Sequence, residues 1–238
     1  MVPVGKGGTL AVITARGGSK RIPRKNTKPF CGRPILTYSI EAAKQSGLFD
    51  EIMVSTDDEE IAEIARQYGA DVPFFRSAGN AGDYATTTDV LLEVLQKYQE
   101  QGSNFTWLSC LYPTAPFVTA EKLKRAYRQL VESGADALIP VVPFSYPPLR
   151  GLTVRKNRVS MKWPEYTFTR SQDMETLYHD CGQFYFIRTD TLIREKNLLC
   201  KNLLPMIMSE LEVQDIDNET DWELAELKYQ LLKDKGIL

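Results

Sequence analysis

Strand and helix signals alternate four times within the first 142 residues, joined by short connections. "TLAVITA" (9–15) is an uninterrupted apolar run, "PILTYSIEAAKQSG" (34–47) has helical spacing, and "DEIMVSTD" (50–57) is a second apolar run. Helical segments follow at 58–69 and 88–102, then "FTWLSCLYP" (105–113), a helix from Thr119 to Gly134, and "DALIPVV" (136–142). Short apolar runs without alternation read as strands buried on both faces. Such strands, separated by amphipathic helices, predict an α/β fold: a doubly wound, mostly parallel sheet. Ligands of these sheets bind beyond the carboxyl ends of the strands.

The rhythm breaks after Val142. Residues 143–187 are rich in proline and aromatics, with little helical periodicity, and read as an excursion, a lid or an oligomerisation arm. "CGQFYFIRTD" (181–190) looks like a return strand, and 211–233 like a strand end, a turn and a closing helix capped by Asn218 or Thr220. The expected organisation is an α/β core at 1–142, an inserted arm at 143–187 and the rest of the core at 188–238.

The chain has 238 residues and a formal net charge of −2, so it is no general polyanion binder. No basic stripe marks a nucleic-acid binder. No apolar run reaches the ~18 residues of a membrane span, and the first residues lack a signal-peptide core. Four scattered cysteines without a C-x-x-C predict a reduced, cytoplasmic protein. His179 is the only histidine, which excludes a multi-His zinc centre.

Against that balance stands "TARGGSKRIPRKN" (14–26), in which Arg16, Lys20, Arg21, Arg24 and Lys25 occur without one acid. Backbone N–H groups beside Gly17 and Gly18, with these cations, make a cradle for a polyphosphate. Neither the Walker pattern nor G-x-G-x-x-G is present. The competing readings are a solvated basic loop and, for the glycines, a plain tight turn. A second cluster is "QDID" (214–217). In an extended segment Asp215 and Asp217 face one way and Ile216 the other, towards the core. Two carboxylates beside a triphosphate suit Mg²⁺; alone, they read as a solvated acidic turn.

"ARGGSKRIPRKN", "DEIMVSTDDEEIAEIARQYGADVPFFR", "LYPTAPF" and "VQDIDNETDWELAE" resemble the CMP-sugar synthetases of nine-carbon (nonulosonic) acids, from Leu10 to the end of the chain. "FTRSQD" followed by "YHDCGQFY" is most similar to the pseudaminic acid cytidylyltransferase branch. The resemblance implies a Rossmann-like nucleotidyltransferase fold with a dimerisation and sugar-binding arm. It implies CTP and an acidic sugar as substrates, Mg²⁺ as cofactor, and a homodimer with shared active sites. By position, Arg16 and Lys25 match phosphate-binding residues, Asn26 a ribose contact, Arg76 a cytidine contact, and Thr87 a residue near the base. Ala15, Gly17, Gly18 and Lys20 belong to the same loop. Asp215 and Asp217 match the metal ligands.

For the sugar, Tyr112 stands where sialic acid enzymes carry glutamine, which favours a differently substituted nonulosonic acid. Arg170 is suited to the sugar carboxylate, since guanidinium binds it in two-pronged fashion. Gln172, Asp180 and Gln183 are candidates for hydroxyl or N-acyl groups. Arg150 reads equally as a sugar contact or a rim charge, Lys20 and Arg21 as phosphate contacts or solvated charges, and His179 as a sugar contact or a structural histidine. Thr14 replaces a proline common in relatives, with little expected consequence. Rival functions are legionaminic, sialic or ketodeoxy-octonic acid activation and a non-catalytic nucleotide-binding regulator.

Overall fold

The computed structural model describes residues 7–82 and 84–238. Its sheet is built around β1 (Gly8–Thr14), buried from Thr9 to Ile13. The chain then passes the basic loop and a small hairpin, β2 (Pro29–Phe30) with β3 (Arg33–Pro34), before α1 (Leu36–Ser46). Gly47 ends α1 with φ 61°, a left-handed conformation that favours glycine. Next come β4 (Glu51–Ser55), α2 (Glu59–Gln67), the single turn α3 (Ala78–Ala81), α4 (Thr87–Glu100), β5 (Phe105–Leu111), α5 (Ala120–Ser133) and β6 (Ala137–Pro143). In this half of the chain three helix starts carry the side-chain caps their sequences call for. Asp58 accepts from the Ile61 amide, Thr86 and Asp89 cap reciprocally, and Thr119 accepts from the Lys122 amide. Each such cap contributes about 1 kcal/mol.

The second half adds β7 (Leu152–Arg155), β8 (Arg158–Met161), β9 (Tyr178–Asp180), β10 (Phe184–Arg188), α6 (Thr189–Glu195), β11 (Leu203–Ile207) and α7 (Glu219–Asp234). The main sheet runs β11-β6-β10-β5-β1-β4, with β9 also pairing β6. β1 is parallel to β4 and β5, and β11 to β6; β10 is reversed between β5 and β6. The sheet is thus mostly parallel, as expected, with antiparallel β10 set into it and antiparallel β9 beside β6.

Both faces are covered. Ala11 and Ile13 join one buried cluster with Leu36, Ile40, Ala62 and Tyr127; Leu10 and Val12 join another with Leu91, Val94 and Leu108. Alternate residues of one strand feed opposite layers, which is why "TLAVI" is apolar throughout. A third cluster seats α7 beside the loop hairpin, where Trp222 and Ile216 pack with Phe30 and Phe117.

Two segments depart from the sequence reading. The arm is not irregular throughout, since β7 and β8 form a hairpin and β9 rejoins the sheet. The strand expected at 211 is instead a 3₁₀ turn, Glu210–Glu212, and the sheet is entered earlier, by β11. Pro205 disguises β11, yet β11 is an edge strand, where a missing N–H costs little.

Candidate active site

The basic loop leaves the carboxyl end of β1 and is fastened from below. Arg24 spans both oxygens of Asp58, at 2.5 and 3.0 Å, and reaches Glu60. One of the five cations is therefore a clamp onto the start of α2. The Gly17 amide donates to Asp57 Oδ1 at 3.0 Å, and buried Asn26 donates from Nδ2 to the Arg16 carbonyl at 2.8 Å. A Cβ on Gly17 would lie 2.6 Å from Asp58 Oδ2, whereas one on Gly18 would meet nothing within 4 Å. Neither glycine has a positive φ. Gly17 is demanded by the approach of α2, and Gly18 leaves space on the open side. Ala15 is buried, and its amide donates to the Ser55 carbonyl at 3.0 Å.

A cavity of about 380 Å³ lies above this loop. It gathers Arg16, Lys20, Lys25 and Asn26 with Thr87 at the start of α4 and Tyr112 after β5; Arg21, Thr14 and Asp217 also line it. Residues distant in sequence meet because β1 and β5 are neighbours and α4 begins above them. Arg76 stands apart from this lining. Its buried guanidinium donates to Ser55 Oγ at 3.1 Å and to the Ser55 carbonyl at 2.6 Å. Burial lowers its proton affinity, against the attraction of Asp57 and Glu93. In this chain Arg76 ties its own loop to the ends of β1 and β4 through Ser55.

A second cavity, about 400 Å³, holds His179, Asp215, Asp217, Asp221 and Lys228. Asp217 lines both cavities, and its Oδ1 pairs with Arg21 at 2.7 Å. Lys25 donates to the carbonyl of buried Ile216, between the two aspartates, at 2.7 Å. Burial lowers the proton affinity of Lys25, and Asp217 and Asp215 oppose that shift. Asp215 is pushed the other way, upward, by burial and then by Asp217. A carboxylate whose proton affinity is raised by burial and by a neighbouring carboxylate is the electrostatic condition a divalent cation relieves. Among the described residues no three metal-ligating side chains cluster, so cation binding at this pair requires water or substrate oxygens as well.

Tyr185, a residue of the return strand that the sequence did not single out, links the sugar candidates. Its hydroxyl donates to Asp180 Oδ2, and its ring lies 5.6 Å from that of Tyr112. Burial, Tyr112 and Asp180 all push its pKa up, so the hydroxyl keeps its proton and serves as a donor. Asp180 Oδ1 takes the Gly182 amide at 2.8 Å, and Thr87 Oγ1 sits 3.4 Å from the Tyr112 hydroxyl. Only the alternation in "FYFI" hinted that Tyr185 faces a different layer from its neighbours.

Other candidates are placed elsewhere. Gln183, expected at the sugar, is buried, and its amide donates to the Glu212 carbonyl at 2.6 Å. Its position where β9 bends into β10 turns the side chain inward, and it lines neither cavity. Exposed Arg170 pairs with Asp173 at 2.7 Å, and Gln172 is exposed beside it. Arg150 lies in the 3₁₀ turn Pro148–Arg150. None of these three lines the two cavities of its own chain. The His179 ring packs 4.7 Å from Phe144, with Nδ1 2.9 Å from the Asp180 carbonyl.

The cytidylyltransferase family profile matches residues 10–229. A pseudaminic acid cytidylyltransferase of Campylobacter jejuni subsp. jejuni serotype O:2 is 38% identical over 223 residues, 93% of this chain and 96% of that protein. A CMP-N,N'-diacetyllegionaminic acid synthase of Legionella pneumophila subsp. pneumophila is 34% identical over 231 residues, with 93% and 96% covered. In fold, the chain is similar to a CMP:2-keto-3-deoxy-manno-octonic acid synthetase solved with CTP, at a TM-score of 0.69 and 17% identity, over 95% of this chain and 99% of that one. With its profile matched almost end to end and a relative this similar over its full length, the chain belongs to the cytidylyltransferase family.

Proposed function

We propose that this chain transfers CMP from CTP to the anomeric hydroxyl of pseudaminic acid and releases pyrophosphate. The observation that carries the reading is Asp217, which lines both cavities at once: the one floored by the basic loop and the one holding Asp215. A triphosphate in the first cavity and a cation held beside Asp215 in the second would meet at this residue. Arg16, Lys20 and Lys25 would neutralise the phosphates and the charge that grows on the departing pyrophosphate, where preorganised donors act most strongly. Asn26 would hold the loop in shape through the Arg16 carbonyl. Asp215 and Asp217 would hold Mg²⁺, with substrate oxygens and water completing its shell. When bound, such a cation screens phosphate charge and makes the phosphorus more electrophilic.

The sugar side of the reading rests on Tyr112, Tyr185 and Asp180, joined at one side of β5 and β10, and on the similarity to pseudaminic acid enzymes. Arg170 and Gln172 would serve the site of a second copy, through an arm that exposes Leu152, Val154, Val159 and Phe168. The reading places the reaction in the cytoplasm, with the CTP pool. The similarity to a diacetyllegionaminic acid enzyme favours that sugar as the second reading. Pyrophosphate release with Mg²⁺, four nucleotides and a panel of acidic sugars tests both. CTP with pseudaminic acid should exceed every other combination. Faster turnover with legionaminic acid would favour the second reading, and equal use of all four nucleotides would sink the cytidine assignment.

A further inference from the structure

The segment that carries Asp215 and Asp217 belongs to no strand. After the 3₁₀ turn Glu210–Glu212 it runs extended to Asn218, and no ladder pairs its backbone. Unpaired backbone groups that are shielded from water need partners, so the question is what supplies them. Side chains from three other elements do, and a fourth, Lys122, holds the Glu212 side chain. Lys228, from the third turn of α7, donates from one ammonium to the Val213 carbonyl at 2.8 Å, to Gln214 Oε1 at 3.0 Å and to the Glu210 carbonyl at 3.2 Å. Lys122, buried on α5, pairs with Glu212 at 2.7 Å and donates to the Phe117 carbonyl at 2.7 Å. Gln183 donates to the Glu212 carbonyl, and Lys25 to that of Ile216.

An ammonium has three protons, and Lys228 uses them on three acceptors within residues 210–214. A lysine drawn out of water usually answers to a carboxylate. Lys228 instead spans a turn and the two residues before Asp215, in the wall of the same cavity as Asp215, Asp217 and His179. Burial lowers its proton affinity, with Glu210 the one acid that opposes the shift. That arrangement spends a charge on backbone shape.

We propose that Lys228 is a positioning residue for divalent-cation binding, setting the direction of the Asp215 and Asp217 carboxylates by holding residues 210–214, with Lys122 fixing the far end of that turn through Glu212. The inference rests on the reading of Asp215 and Asp217 as the cation's ligands. It adds two residues that touch neither cation nor substrate. Groups that orient metal ligands from behind affect affinity by about 10–100-fold when removed.

The test is Mn²⁺ binding to the full-length protein with CTP present, followed by electron paramagnetic resonance, beside steady-state kinetics and thermal melting. Lys228→Met keeps the length of the stem and removes the donors. It should weaken Mn²⁺ binding about tenfold and raise the Mg²⁺ concentration for half-maximal rate by the same factor. The rate at saturating Mg²⁺ should fall less. Lys228→Gln, which restores a donor without the charge, should recover part of the affinity and carries the test if the methionine variant does not fold. Glu212→Gln should show the same direction with a smaller shift. A folded Lys228→Met or Lys228→Gln protein with a lower melting temperature and wild-type Mn²⁺ affinity would overturn the inference, because Lys228 would then support the fold alone. If Asp215→Asn leaves Mn²⁺ binding untouched, the ligand assignment itself fails, and this inference with it.

Discussion

The basic loop (14–26) and the arm (143–187) both carry arginines expected at one reaction, yet their surroundings differ. Around the loop, Asp57, Asp58, Glu60 and Asn26 hold the backbone and one guanidinium, and its remaining cations line one open cavity. The arm exposes Val154, Val159 and Phe168, the last almost completely, and Arg170 pairs with Asp173 of the same arm. A loop at the end of a buried strand is shaped by its own chain. An extended hairpin with apolar side chains in water is a surface that a second copy would complete. On the proposed reading, one half of the site is held by its own chain and the other would be completed by a second copy.

The contrast breaks or stands on a mixing experiment. Asp215→Asn and Arg170→Ala should each lower turnover by about 100-fold as purified parents, the scale of a lost charge-stabilising group. Mixed under conditions of subunit exchange, they should recover about a quarter of wild-type activity if the arm crosses, because half the dimers are hybrids and each keeps one intact site. Confirmed exchange without recovery would place Arg170 in its own subunit's site.

A smaller effect separates the two glycines of the preorganised half. Gly17→Ala drives a methyl group into Asp58 and should cost about 1–3 kcal/mol of stability by chemical denaturation. Gly18→Ala meets open space and should keep full stability while raising KM for CTP. An unchanged KM would mean that the phosphates do not use the space beside Gly18.

The smallest effect concerns the fastening of the loop around Arg76. Glu93 accepts from the Ser77 amide at 2.9 Å and Ser77 Oγ at 2.8 Å, takes a bond from Asn80, and pairs with Lys97 at 2.6 Å. Burial by itself would raise its pKa, but Lys97, Asn80 and Ser77 outweigh burial and hold it at about 2, below the ordinary 4.5. A depressed carboxylate contributes stability above its unfolded value, and that contribution is lost as pH falls from 4.5 towards 2. Glu93→Gln should therefore be less stable than wild type by about 1–2 kcal/mol at pH 7, with the gap narrowing by roughly half at pH 3. A gap independent of pH would assign the effect to packing.

Local chemistry made much of this legible beforehand. "TLAVI" has to be covered on both faces, Thr119 and Gly134 frame α5, and five cations after a buried strand mark an anion cradle. Patterns of this kind depend on neighbours within a turn or two, where spacing alone sets geometry. Assignments that depend on distant partners were out of reach. Nothing in "FYFIR" says that β10 lies reversed between β5 and β6, and nothing in "LLPMI" says that Pro205 sits on an edge. Gln183 has the chemistry of a sugar contact, but the bend between β9 and β10 sends it to Glu212.

By itself the sequence determined the alternating architecture, the helix caps, the cradle at the end of β1 and the paired carboxylates of "QDID", because each is a local pattern. Only the tertiary structure decided which charges face the cavity. Arg24 turns to α2, Arg21 to Asp217, and Lys228 crosses from the last helix to hold the backbone before Asp215. A charged side chain takes the partner that folding brings within about 3 Å, and that partner is set by the packing of whole layers.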